Sequence, residues 1–134
     1  MANTKAIYPS VIRTEVLDIA NADSTNLQTL VTAGASGSRI NSIAVTSTDS
    51  FDKDLMFYIN DGAADYLIGR ITIPDGSGSN GIDQTISALN VTNFPFIGDD
   101  LCLYLEANYL LKVKAQAAVT AATYIYLVAT VGDY

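Results

Sequence analysis

Histidine and tryptophan are absent from this chain, and cysteine occurs once, at Cys102. Without an imidazole there is no general base for a Ser-His-Asp or Cys-His nucleophile, and no zinc or 2-His-1-carboxylate iron site of the usual kinds. With one thiol there is no intrachain disulfide. Cys102 lies in the apolar run Leu101-Cys102-Leu103-Tyr104-Leu105, where it reads as a small buried hydrophobe. Basic residues are also scarce. Lys5, Arg13, Arg39, Lys53, Arg70, Lys112 and Lys114 are scattered among fourteen acidic residues, for a net charge of -7. That balance repels phosphate backbones, so nucleic acid is not an expected partner. No stretch approaches the roughly 20 consecutive apolar residues of a membrane-spanning helix, so no membrane partner is expected either.

The chemistry left by these absences is carboxylate chemistry. Aspartates outnumber glutamates twelve to two and cluster in turn-like segments, which marks them as turn formers rather than an acid/base pair. Oxygen ligands gather at Asp49, Asp52 and Asp54, and again from Asp75 to Asp83. Neither set matches the spacing of a twelve-residue calcium loop, and both read as solvated acidic loops. The segment AGASGS lacks the ending of a phosphate-binding glycine loop. No catalytic residue, cofactor or metal ligand is assigned.

What is present is a pattern of short strands. With 49% hydrophobic and 16% charged residues in 134, the chain can bury a real core and forms one folded unit. From Thr29 to Pro74, β-branched and aromatic runs alternate with compact turn clusters, and Asn60-Asp61-Gly62 is a strong hairpin signal. In Val11 to Ile19, Ile12, Val16 and Ile19 would share a helical face, but Ile12, Thr14 and Val16 also alternate, and the β-branched content favours a strand. Leu103 to Ala115 alternates apolar and polar residues, predicting one buried and one wet face. Asn93-Phe94-Pro95-Phe96 is expected to plug one end of the core with both rings, and the Pro74 to Gly81 loop has the most flexible composition. Thr123 to Val131 is apolar on both faces, as in a central strand or one whose second face meets another subunit.

Eight or nine short strands predict an all-β fold, an antiparallel two-sheet β-sandwich of jelly-roll type, with an immunoglobulin-like sandwich as the alternative. Residues 1–10 read as an extended N-terminal arm and residues 11–134 as a single sandwich. MANTKAIYPS lacks a basic segment followed by an apolar stretch, so synthesis in a cytoplasm without a cleaved export signal is expected. The tyrosines of the apolar strands are assigned to core or subunit contact rather than to sugar stacking. Tyr8 and Tyr134, near the ends of the chain, are more open to an interface role.

The segments TAGASGSRINSIAVTSTD, FYINDGAADYLIGRITIP and YLLKVKAQAAVTAATYIYLVA resemble a family of small proteins encoded among the virion genes of tailed bacteriophages. The resemblance runs from about Val11 onward. It rests on the spacing from Gly34 and Arg39 through Asn60-Asp61-Gly62 and Tyr66 to Leu111-Lys112-Val113, not on an active-site signature. It implies a capsid decoration or cement protein, made in the host bacterial cytoplasm and bound to the capsid exterior. Its partners would be the major capsid protein and further copies of itself, as a dimer or trimer. The candidate interface residues are Ile7, Tyr8 and Pro9 in the arm, Tyr124 and Tyr126 in the last strand, and Tyr134. The competing readings are a carbohydrate- or receptor-binding sandwich of a phage fibre or tail tip, using exposed tyrosines and the Asp75 to Asp83 loop, and a small carboxylate enzyme.

Overall fold

A computed structural model describes residues 8–90, 92–100 and 102–134. Nine strands form in chain order: β1 (Val11–Ala20), β2 (Gln28–Thr32), β3 (Ser38–Ser47), β4 (Lys53–Asn60), β5 (Asp65–Ile73), β6 (Ile86–Ser87), β7 (Leu103–Leu105), β8 (Leu110–Ala115) and β9 (Tyr124–Asp133). Short 3-10 turns at Asn21–Asp23 and Pro95–Asp100 are the helical segments among the described residues.

The topology follows from folding one long hairpin about its tip. At the tip, between β4 and β5, the Asp61 carboxylate accepts hydrogen bonds from the amides of Ala63 and Ala64, and Asn60 accepts one from the Gly62 amide. Gly62 sits at φ +96°, a conformation open to glycine and costly to other residues. These bonds, from Ala64 first and Ala63 second, hold the Asp61 carboxyl below its ordinary range. Behind the tip, β5 pairs with β4, β6 and β7 with β3, β8 with β2, and β9 with β1, every pair antiparallel.

Rolling this ribbon adds the pairs β9 to β3 and β8 to β4. The outcome is one sheet in the order β1-β9-β3-β6, with β7 also on β3, facing a second in the order β2-β8-β4-β5. Two interleaved Greek keys of this kind are a jelly roll. The immunoglobulin-like alternative is not adopted.

The core lies between the sheets. Ile40, Ile43, Val45, Ile125, Leu127, Ala129 and Val131 from the first meet Leu55, Phe57, Ile71, Leu111 and Val113 from the second, all buried. At one end Phe94 packs edge-on against Phe57, with ring centroids 5.6 Å apart. A Cβ at Gly69 would lie 2.6 Å from the Phe94 ring, so a side chain there would displace it. Phe96, expected to share this plug, is instead exposed and touches Phe94 edge-on.

Other expectations need revision. The alternating stretch from Leu103 to Ala115 is not one strand. It breaks at Glu106–Tyr109, where Asn108 takes φ +65°, and its halves join different sheets. The Pro74 to Gly81 loop is tied down: the Ser47 amide donates to the Ser77 carbonyl, the Ser79 hydroxyl to the Ser47 carbonyl, and the Gly78 amide to the Asp83 carbonyl. Glycine is needed at position 78, at φ +75°, because a Cβ would lie 2.7 Å from the Thr85 hydroxyl oxygen.

Asp49 is not a solvated loop residue but is fully buried. Its carboxylate accepts from the Thr120 amide at 2.9 Å, the Thr120 hydroxyl at 2.8 Å and the Phe51 amide at 3.0 Å, with the Lys53 ammonium 3.9 Å away. Burial alone would raise this carboxyl's pKa. The backbone bonds from Thr120 and Phe51, aided by the Thr120 hydroxyl and Lys53, outweigh it and hold the group below its ordinary value.

A candidate interface on the outer face of the first sheet

Strand β1 carries an unusual division of side chains. Leu17 and Ile19 on its inward side join the core, but the same side also holds Arg13 and Glu15. The opposite side, Ile12, Thr14, Val16 and Asp18, faces solvent, and Ile12 and Val16 are 73% and 72% exposed. A register slip of one residue would exchange these sets.

The inward charges are satisfied locally. Arg13 donates to Asp133 at 2.9 Å, to the Thr32 carbonyl at 2.6 Å, and to Glu15. The Ser38 hydroxyl also donates to Asp133. Bonds from Arg13 first and Ser38 second hold the Asp133 carboxyl below its ordinary range, and Arg13 is held above its own. This network closes the end of the sandwich where the chain terminates. It supports the phase of β1 that the burial of Leu17 and Ile19 sets, in which Ile12 and Val16 face outside.

Cross-strand register assembles the outer face in rows. Val16 stands opposite Val128 and then Ala44, Asp18 opposite Tyr126 and then Thr46, and Ile12 opposite Gly132 and then Arg39. Val16, Asp18, Tyr126 and Val128 line a shallow, largely apolar depression. Tyr124 and Tyr126 stack at 5.8 Å with an interplanar angle of 21°. In these rows Asp18 and Arg39 are the ionisable side chains other than tyrosine, and Arg39 bonds Asn41 at 2.7 Å.

The residues expected at an interface fall on this sheet in two groups. Tyr124 and Tyr126, 38% and 42% exposed, lie at one end of β9. Pro9 lies at the other end, where a Cβ on Gly132 would come within 2.7 Å of its ring; Tyr8 is exposed beside it, and the Tyr134 amide donates to the Gly37 carbonyl. The groups are separated by about 20 Å, six residues of strand. Ile7 lies outside the described residues.

Ile12 and Val16 were not among the expected residues, although with Val128 of the last strand they bridge the groups. The alternation of Ile12, Thr14 and Val16 favours a strand, but it carries no sign saying which face is inward. Thr46 stands between Tyr126 and Gly78, so the tyrosine end also adjoins the Asp75 to Asp83 loop.

The described residues contain no group of three or more Cys, Asp or Glu placed to hold a metal ion, and no helix long and apolar enough to cross a membrane. Asp52 accepts the Asp75 amide, and Asp54 accepts the Thr72 hydroxyl and faces Arg70. The face described above is suited to apolar contact rather than to bond-making chemistry.

No protein-family model matches this chain, and no curated protein matches it. Its fold is similar to that of a chain in the acidic stable capsid structure of Helicobacter pylori bacteriophage KHP30. The TM-score is 0.60 over 92% of this chain and 89% of that chain, at 8% sequence identity. A chain of the virus-like particle of giant freshwater prawn Macrobrachium rosenbergii extra small virus scores 0.39 at 10% identity, over 100% of this chain and 87% of that one. Similarity at such identities concerns the fold.

Proposed function

We propose that this chain is a structural virion protein that binds the outer surface of a phage capsid and cements neighbouring major capsid subunits. The carrying observation is the exposed apolar set of Ile12, Val16, Val128, Tyr126 and Tyr124 gathered on one sheet face of a chain with a net charge of -7. Contiguous apolar surface on a soluble fold marks an interaction site. The fold shared with a phage capsid chain supports a virion setting. The arm through Ser10 and the sandwich over 11–134 act together, with Tyr8, Pro9 and Tyr134 at one end of the contact and Tyr124 and Tyr126 at the other.

The role is structural rather than catalytic, and the mechanism is linkage. A protein that binds the mature shell and not its precursor shifts the equilibrium toward the mature form. Attachment at many symmetry-related sites turns modest contacts into lasting occupancy.

Capsids assembled without this protein are expected to lose heat and low-salt resistance and to regain it on addition of the purified chain. Val128→Asp is expected to abolish that rescue while leaving the protein's own melting temperature unchanged. Full resistance in the deleted capsid refutes the cementing role. A second reading, a glycan-binding module of a fibre or tail tip, is favoured by the nearness, across Thr46, of the tyrosine end to the Asp75 to Asp83 loop. Saturable sugar binding on a glycan array, lost in Tyr126→Ala, would establish it instead.

A further inference from the structure

We propose that two copies of this chain join edge to edge through β1, antiparallel, about a two-fold axis at Thr14. Sheet edges invite pairing, and proteins normally blunt them. Here the other edges are blunted. β2 is five residues long with a register shift, β5 carries a shift and the exposed Arg70, and the β6/β7 edge is broken into pieces of two and three residues. By contrast, β1 runs ten residues with no shift or proline, and its inward Arg13 is held by Asp133, Thr32 and Glu15 of its own chain.

The backbone of β1 is also poised for pairing. The Thr48 amide donates to the Tyr124 carbonyl, so Tyr124 turns its backbone groups toward β3. Its partner Ala20 therefore turns its own away from β9, and its amide donates to Asp23 instead. Alternation then directs the amides and carbonyls of Asp18, Val16, Thr14 and Ile12 to the open edge. Among the described residues, nothing takes them.

Charge selects the register. With Thr14 opposite Thr14 of a second copy, Arg13 faces Glu15 of that copy and Glu15 faces its Arg13, while Ile12 and Val16 pair reciprocally on the outer face. Moving the axis one residue toward the N-terminus sets Arg13 against Arg13, and one residue the other way sets Glu15 against Glu15. The pairing at Thr14 also makes the two exposed apolar strips continuous across the seam. Pro9 lies over Gly132 on the β9 side, leaving the open edge clear at that point.

This proposal does not depend on capsid binding and is tested without capsids. Sedimentation of the full chain at micromolar concentrations is expected to show a dimer. In a Cys102→Ala background, Thr14→Cys should cross-link under mild oxidation, because hydrogen-bonded partners place their Cα atoms about 5.5 Å apart. Val16→Cys should not, since the two copies of that position would be separated by about 14 Å along the strands. Glu15→Arg should raise the dimer dissociation constant at least ~10-fold by juxtaposing like charges, with the monomer still folded by circular dichroism. A monomeric chain, a trimer, or a dimer that cross-links through Val16 but not Thr14 overturns the proposal.

Discussion

The two sheets share one fold and one core, but their outward faces differ in kind. On the second sheet, Lys112, Tyr58 and Leu67 form one row, and Lys114, Met56 and Arg70 another. Charges there are engaged: the Lys114 ammonium lies 5.4 Å from the centre of the Tyr58 ring, Arg70 is 3.6 Å from Asp54, and Lys112 is 3.9 Å from Asp65. On the first sheet the corresponding rows hold Val16, Val128 and Ala44, or Ile12, Gly132 and Arg39, with fewer charges. A face laced with lysine and arginine resists association, whereas an apolar face beside a long unpaired edge permits it. The asymmetry teaches where this molecule meets others, which the jelly roll alone does not.

The sharpest way to break this contrast is within β9, where adjacent residues point to opposite sides. Leu127→Ala, in the core, is expected to cost about 2–5 kcal/mol in chemical denaturation. Its neighbour Val128→Thr, on the outer face, should change monomer stability by less than about 0.5 kcal/mol and weaken only association. Equal losses at both positions would mean that the outer face is structural rather than a contact surface.

Next in size is Asp49→Ala, expected to cost about 1–3 kcal/mol because the part-buried donors of Thr120 and Phe51 lose their acceptor. A pH titration of melting temperature extends this test. Asp49 and Asp133 both have pKa values held below the ordinary 3.8, so the stability they contribute is present in full above that value. It is lost as pH falls below 3.8 and through their folded-state values. Asp49→Asn combined with Asp133→Asn should flatten that acid limb; an unchanged limb would remove these carboxylates as its cause.

Smallest is Arg70→Gln on the charged face. Its pair with Asp54 is solvent-exposed, so a change of about 0–1 kcal/mol, shrinking with added salt, is expected. A larger loss would place structural weight on the second sheet's outer face and narrow the difference between the two.

Much of the fold was legible because it is locally encoded. The hairpin at Asn60-Asp61-Gly62 forms from side chains bonding their own neighbouring amides. Strands β1 to β5 fall close to where β-branched and aromatic runs lie. Where a local signal had more than one cause, it misled. The alternation from Leu103 to Ala115 continued in phase through a turn, because Ala107 mimics a buried position while lying exposed. In the segment AGASGS, Gly37 takes φ +89°, whereas Gly34 keeps an ordinary φ and a Cβ there would lie 3.3 Å from the Asp133 side chain, a tight contact that depends on tertiary packing. Of the candidate interface, the tyrosines of β9 were readable as an apolar second face, and the aliphatic residues of β1 were not.

By itself the sequence determined that this protein is built of short antiparallel strands, lacks the imidazoles and thiol pairs of common reactive sites, and carries an acidic balance, since these follow from inventory, period and turn chemistry. Only the tertiary structure decided that β1 turns Ile12 and Val16 outward, that Asp49 is a buried anchor, and that β9 lies between β1 and β3. Those outcomes depend on which distant strands pair and in what register, and a two-residue period is the same for both faces until the packing of Leu17 and Ile19, together with the Arg13 to Asp133 contact, sets its phase.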